Sequence, residues 1–191
     1  MIIKRLAIFA SGTGSNALNI IQSFNSLDTL EVAFVLSNNP AAKVVNAAEE
    51  MGINVEIVSN EEVENGKSLV DLCLREKIDY IILAGFLRKI PSELIRHYPN
   101  KIINIHPSLL PKYGGKGMYG LNVHKAVLES GDHETGITIH FVNEEFDRGE
   151  IIAQFKCAID ENESLDSLLE KIHSLEHANF PTVIKNTIEN D

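Results

Sequence analysis

The chain has 191 residues, enough for one domain with a proper core, and at 44% apolar and 23% charged it has the make-up of an ordinary globular protein. A formal net charge of −10 argues against nucleic acid as its main partner, and apolar runs such as Ile81–Ala84 are far too short to span a bilayer. Two cysteines, Cys73 and Cys157, stand far apart in apolar contexts and read as buried free thiols of a reducing cytoplasm.

The N-terminus, Met1-Ile2-Ile3-Lys4-Arg5, enters a strand pattern directly, so no signal peptide is expected. Leu6–Ala10 reads as a buried strand, Ser11–Gly14 as a glycine-rich turn, and Asn16–Phe24 as a helix with Leu18, Ile21 and Phe24 near helical spacing. A second strand, Glu31–Leu36, stops at Ser37-Asn38-Asn39-Pro40. The helix Ala41–Met51 ends in Gly52, a good residue just past a helix C-terminus. Strand Val55–Val58, helix Leu69–Glu76, strand Tyr80–Ala84, helix Pro91–His97 and strand Ile102–Ile105 continue the alternation. That rhythm predicts an α/β fold: one domain, residues 1–191, with a mostly parallel, Rossmann-like sheet and helices on both faces. The pattern then changes to a helix at Leu121–Glu129, then strands Gly136–Val142 and Ile151–Lys156 around the polar loop Asn143–Glu150. A long helix from Leu165 to Ile188 follows, with Pro181 as its expected break.

Gly12-Thr13-Gly14-Ser15-Asn16-Ala17 satisfies G-x-G-x-x-G/A between a strand and a helix, a turn that aims backbone N–H groups at an anion. A dinucleotide site wants an acid at the end of the second strand, but the residues there are Leu36-Ser37-Asn38-Asn39. The loop therefore reads as a cradle for a terminal phosphate, with Ser15 and Asn16 adding side-chain donors. The plainer alternative is a tight turn with an ordinary helix cap.

Asn104 and His106 stand two apart at a strand end, where strand geometry points both side chains the same way, and Pro107 stops the strand. An amide and a protonated imidazole side by side suit a developing oxyanion, and the imidazole can also move protons. Asp147 is the candidate carboxylate that would favour imidazolium. Taken singly, each residue is more often a cap or a satisfied polar group than a catalyst, and local pattern alone favours that plainer reading. Ser108 lacks a G-x-S-x-G turn and neither cysteine sits in a polar motif, so transfer would run directly from donor to acceptor. No C-x-x-C or H-E-x-x-H is present, and no metal site is suggested.

"INIHPSLLPKYGG" with "FDRGEII" downstream resembles the folate-dependent formyltransferase superfamily. "FASGTGSN", "LAGFLRKI" and "LEHANFP" point to its purine-synthesis branch over essentially the whole chain. The resemblance implies the formyltransferase fold and transfer of a formyl group from 10-formyltetrahydrofolate, a cosubstrate, to the amine of 5-phosphoribosylglycinamide through a tetrahedral intermediate, without a metal. It places the catalytic residues on Asn104, His106 and Asp147, phosphate and substrate binding on Gly14, Ser15, Asn16, Ala17 and Glu176, and folate binding on Leu87, Arg88, Lys89, Ile90 and Asn104. It also implies small-molecule partners, a cytoplasmic monomer or homodimer, and no membrane or nucleic acid. The family's basic residue near the third helix has no clear counterpart in the acidic stretch Glu61–Lys67. The tail Gly114–Gly120 would contact phosphate or shape its loop.

His97, His124, His133 and His173 read as surface or packing residues, and the face of His140 is left open. Rivals are a formyltetrahydrofolate hydrolase, whose N-terminal regulatory domain has no room before Leu6, and a noncatalytic nucleotide-binding module using only the glycine-rich turn.

Overall fold

Apolar runs without polar alternation make strands that are covered on both faces, and such strands pair in parallel. In the computed structural model, which describes residues 3–191, these are β1 (Lys4–Phe9), β2 (Leu30–Ser37), β3 (Asn54–Ile57), β4 (Tyr80–Leu83) and β5 (Ile102–His106). Met1 and Ile2, the first residues of the strand-like start, lie outside the described residues. β6 (Glu134–Phe141) joins β5 antiparallel and β7 (Ile151–Ala158) joins β6, giving one seven-stranded sheet in the order β3-β2-β1-β4-β5-β6-β7. The helices are α1 (Ser15–Phe24), α2 (Lys43–Glu50), α3 (Asn60–Asn65), α4 (Lys67–Arg75), α5 (Ser92–His97), α6 (Leu121–Ser130) and α7 (Leu165–Glu189).

Each face of the sheet carries its own core. Ile8, Val35 and Ile103 pack with residues of α1, α2, α6 and α7, including Ile20, Val44, Val127 and Phe180. Phe9, Phe34 and Ile81 face the other way onto Val63, Leu69 and Leu94 of α3, α4 and α5. After β3 the chain returns to pair β4 with β1, so the strand order reverses between β1 and β4. Loops leaving the carboxyl ends of these two strands diverge there, which is where an open α/β sheet forms its crevice.

The termination of α2 follows the expected chemistry: Gly52 takes φ +78°, its N–H reaches Glu49 O at 2.9 Å, and Ile53 N–H reaches Ala48 O at 3.0 Å. One element is added to the expected order and one expectation is corrected. Residues 60–65 form a helix of their own, started by a capping box in which Ser59 N–H donates to Glu62 Oε2 at 2.7 Å and Glu62 N–H to Ser59 Oγ at 3.2 Å. And α7 runs unbroken through Pro181. Proline removes the donor that would have met the carbonyl of His177; Asn19 of α1 donates to that carbonyl instead, at 2.9 Å. Cys73 is fully buried and its thiol pushed up to about 12 by that burial; Cys157 is only half-buried, and both are free.

Gly136 of β6 lies tight against β7: a Cβ there would fall on the carbonyl oxygen of Phe155. Gly136→Ala is expected to cost at least about 2 kcal/mol of unfolding free energy, read from chemical denaturation, because backbone rather than a flexible side chain must give way.

Candidate active site

Gly14, which caps α1, adopts φ +78°, and any Cβ there would strike Val44 of α2. The first bond into α1 runs from Leu18 N–H to Gly14 O at 2.9 Å, so the N–H groups of Ser15, Asn16 and Ala17 precede the ladder and point out of the helix end. Ser11 ties this loop to its neighbours: its hydroxyl donates to Asn38 Oδ1 at 2.6 Å and accepts from Leu87 N–H at 2.9 Å. Asn38 thus occupies, as an amide, the place where a dinucleotide site keeps its acid.

The end of β5 lies abreast of β6, with Asn104 opposite His140 and His106 opposite Thr138. Thr138 is fully buried and acts as a clamp. Its hydroxyl donates to Ser108 O at 2.6 Å and accepts from Leu110 N–H at 2.9 Å and Gln154 Nε2 at 2.9 Å. Ser108, also buried, donates to Lys112 O at 2.7 Å, the role of a loop brace and not of a nucleophile. The segment so folded brings the carbonyl of Tyr113 to His106 Nε2 at 2.8 Å. A carbonyl only accepts, so Nε2 carries the hydrogen and Nδ1 is left facing Asp147, whose Oδ1 is 3.7 Å away.

His140 completes the group. Its Nδ1 donates to Phe141 O at 2.8 Å, so Nε2 accepts, from Asn104 Nδ2 at 3.1 Å, and stands 3.8 Å from the same Asp147 oxygen. Burial is the main cause holding its pKa below the usual histidine range, in keeping with a neutral acceptor. A bulge between Ile139 and His140 interrupts the β6–β7 register at this point. The other hydrogen of the Asn104 amide remains available to a ligand.

Asp147 takes φ +54°, an unusual backbone state that aspartate tolerates, and its Oδ2 accepts from Gly115 N–H at 2.8 Å. The glycine-rich tail after β5 therefore has a role in this structure: it orients the carboxylate. Gly149 closes the same loop where a Cβ would fall on Phe141 O.

These groups line one cleft of about 480 Å³. Gly14, Ser15, Asn16, Leu87, Arg88, Lys89, Ile90, Asn104, Asp147 and Glu176 all border it; Ala17 and His106 are buried and are not part of its lining, His106 reaching the site through its approach to Asp147. The backbone N–H and C=O groups of Arg88, Lys89 and Ile90 have no partner among the described residues, and Leu83, Phe86 and Val142 give that end an apolar lining. Arg88 is paired with Glu64 of the acidic stretch Glu61–Lys67 at 2.9 Å. At the other end Asn16 Nδ2 donates to Glu176 Oε2 at 2.9 Å. Glu176 is 7% exposed, and its burial raises its pKa despite the Asn16 bond and the nearby His177.

Two histidines read as packing residues, His124 and His173, border the cleft. His133 and His97 are exposed, as expected. The role of His140 was invisible to local pattern; alternation along β6 puts it on the face of Thr138, but only the pairing with β5 shows what that face meets.

A model of the formyl transferase family matches residues 4–184. A chloroplastic phosphoribosylglycinamide formyltransferase of Arabidopsis thaliana is 40% identical over 188 residues, 95% of this chain and 64% of that protein; that of Vigna unguiculata is 39% identical, and the chain spans 60% of it. The phosphoribosylglycinamide formyltransferase of Bacillus subtilis is 36% identical, with 96% of this chain and 94% of that protein covered. The crystal structure of the enzyme of that name from Bacillus halodurans superposes with a TM-score of 0.88 at 35% identity, covering 97% and 95% of the two chains.

Because Glu176 ionises more easily in the unfolded chain than in this site, its ionisation favours unfolding. Its contribution is most favourable below the ordinary carboxylate range and declines as pH rises through its raised value. Glu176→Gln, which can keep the Asn16 bond, is expected to be more stable than the parent at neutral pH, with the gap closing towards about pH 4. Parallel denaturation curves across that range would contradict the buried, raised carboxyl.

Proposed function

The chain belongs to the formyl transferase family, and from that premise we propose that it transfers the formyl group of 10-formyltetrahydrofolate to the amine of 5-phosphoribosylglycinamide, giving formylglycinamide ribonucleotide and tetrahydrofolate in purine synthesis. The observation that carries the reading is the convergence of Asn104, His106 and Asp147 between a helix end built for a phosphate and an apolar slot edged by free backbone groups. The slot formed by Leu83, Phe86, Leu87, Ile90 and Val142 suits a flat heteroaromatic ring, and the unpaired main chain of residues 88–90 suits its polar edge. Folate is a substrate here, consumed in each turnover.

In this reading the N–H groups of residues 15–17 and the positive end of α1 hold the phosphate, and Glu176 and Asn16 hold the sugar. The amine then adds to the formyl carbon. Asn104 donates its second amide hydrogen to the oxygen on which negative charge develops, and His106 donates from Nδ1 in its protonated form. Asp147 stabilises the positive ring and accepts the proton that leaves the attacking amine. As the new C–N bond forms and the bond to N10 of the folate breaks, that proton ends on N10, directly or through water. Holding both substrates in one cleft removes much of the entropic barrier.

An acidic surface supports small molecules over nucleic acid as partners. Among the described residues no helix is long and apolar enough to cross a membrane. The cytoplasm, as a monomer or homodimer, is the setting proposed, with plastid relatives as the known variation.

Assayed with 10-formyltetrahydrofolate and either glycinamide ribonucleotide or water as acceptor, the enzyme is expected to yield formylglycinamide ribonucleotide in step with tetrahydrofolate. Formate released at the same rate with and without the amine would assign it to the hydrolases. His106→Ala and Asp147→Asn are each expected to lower kcat at least about 10²-fold in folded protein. Near-normal turnover of either variant would reject its assigned role.

A further inference from the structure

His124 is the buried polar residue of the cleft that the mechanism above does not use. It sits on α6, is 5% exposed, and borders the cleft near His173 and Glu176 of α7. Other buried polar side chains around it are paired: His106 with Tyr113, His140 with Phe141 and Asn104, Ser108 and Thr138 with the loop they brace. His124 has no hydrogen-bond partner among the described residues through either nitrogen, and its Nδ1 is sealed from solvent. Among the described residues the only other cleft atom in that condition is Asn16 Oδ1, on the side chain that holds Glu176. Two unpaired buried polar atoms thus mark the same end of the cleft, where α1, α6 and α7 meet.

Resting on the function proposed above, we propose that His124 is a substrate-binding residue whose Nε2–H donates to an oxygen of the phosphoribosyl group. Buried polar groups are nearly always paired, and one left unpaired beside a binding cleft is paired by what the cleft binds. Of the two nitrogens, Nδ1 is sealed with no acceptor, so the hydrogen belongs on Nε2, the nitrogen left open on the cleft side. Burial first, then the charges of His173 and His106, pushes the ring down to about 4, so it stays a neutral donor throughout the neutral range. A neutral donor binds a sugar oxygen without changing the charge balance around Glu176.

The test compares His124→Phe, which keeps a ring and loses the donor, with His124→Gln, whose amide nitrogen falls close to Nε2. His124→Phe is expected to raise KM for glycinamide ribonucleotide about 10-fold, with kcat and KM for 10-formyltetrahydrofolate within about 2-fold. His124→Gln is expected to stay within about 3-fold of the parent in all three. An unchanged KM in folded His124→Phe, or an equal rise in both KM values in both variants, overturns the proposal in favour of a packing role. Imidazole ¹⁵N labelling of the parent gives a reading that needs no variant: the His124 Nε2–H signal should move on saturation with ribose 5-phosphate, and a signal that does not move refutes the contact. That arm also separates the two readings, since a parent that binds ribose 5-phosphate through His124 but transfers no formyl group overturns the function and keeps the site.

Discussion

The ring of His106 is committed through Nε2 to the carbonyl of Tyr113, 2.8 Å away, and the Asn104–His106–Asp147 end of the cleft is organised around that bond. It consumes one nitrogen and so decides that the other, Nδ1, looks towards Asp147. The bond exists because residues 108–113 are folded back on β6, pinned by the hydroxyls of Ser108 and Thr138 and the amide of Gln154. None of these braces lines the cleft, yet a shift in any of them would turn the ring.

A second constraint works from the opposite side. Asp147 is held in a left-handed backbone conformation by a loop whose tight closure requires Gly149, and its outer oxygen is tied to Gly115. The inner oxygen is shared between two imidazoles at nearly equal distance. One of these, His140, is kept neutral by burial and spends its lone pair on Asn104, so the carboxylate's charge is free to act on His106. Two loops from either side of β6 are therefore laced through a single carboxylate, and the polar pair on β5 is aimed by its neighbour strand.

Local pattern carries the order of the elements well because the strands here are continuous apolar runs and the helices are amphipathic, signals that survive in any context. It leaves one element unread and misjudges another. The short helix at Asn60–Asn65 announced itself through Ser59 and Glu62, a capping box with only one buried residue, Val63, behind it and so little periodicity to notice. The helix through Pro181 defied the usual effect of proline, because the carbonyl that proline leaves unpaired is met by Asn19, 158 residues earlier in the chain. No window of sequence contains both groups.

The candidate site divides the same way. The glycine-rich turn, the Asn104–His106 pair and the stop at Pro107 are local, since they depend on residue spacing along one turn or one strand; Asp147 was a candidate that resemblance singled out, and resemblance added Glu176 and the Leu87–Ile90 segment. The sequence by itself therefore determined which residues of each element are chemically able to act. Tertiary structure alone decided which nitrogen of His106 and of His140 carries hydrogen, that His140 supports Asn104, and that His124 borders the cleft. Those choices are made by hydrogen bonds and burial between segments that meet only when β5 and β6 pair and α6 and α7 close over the cleft, and a hydrogen bond has no address in sequence until its partner has arrived.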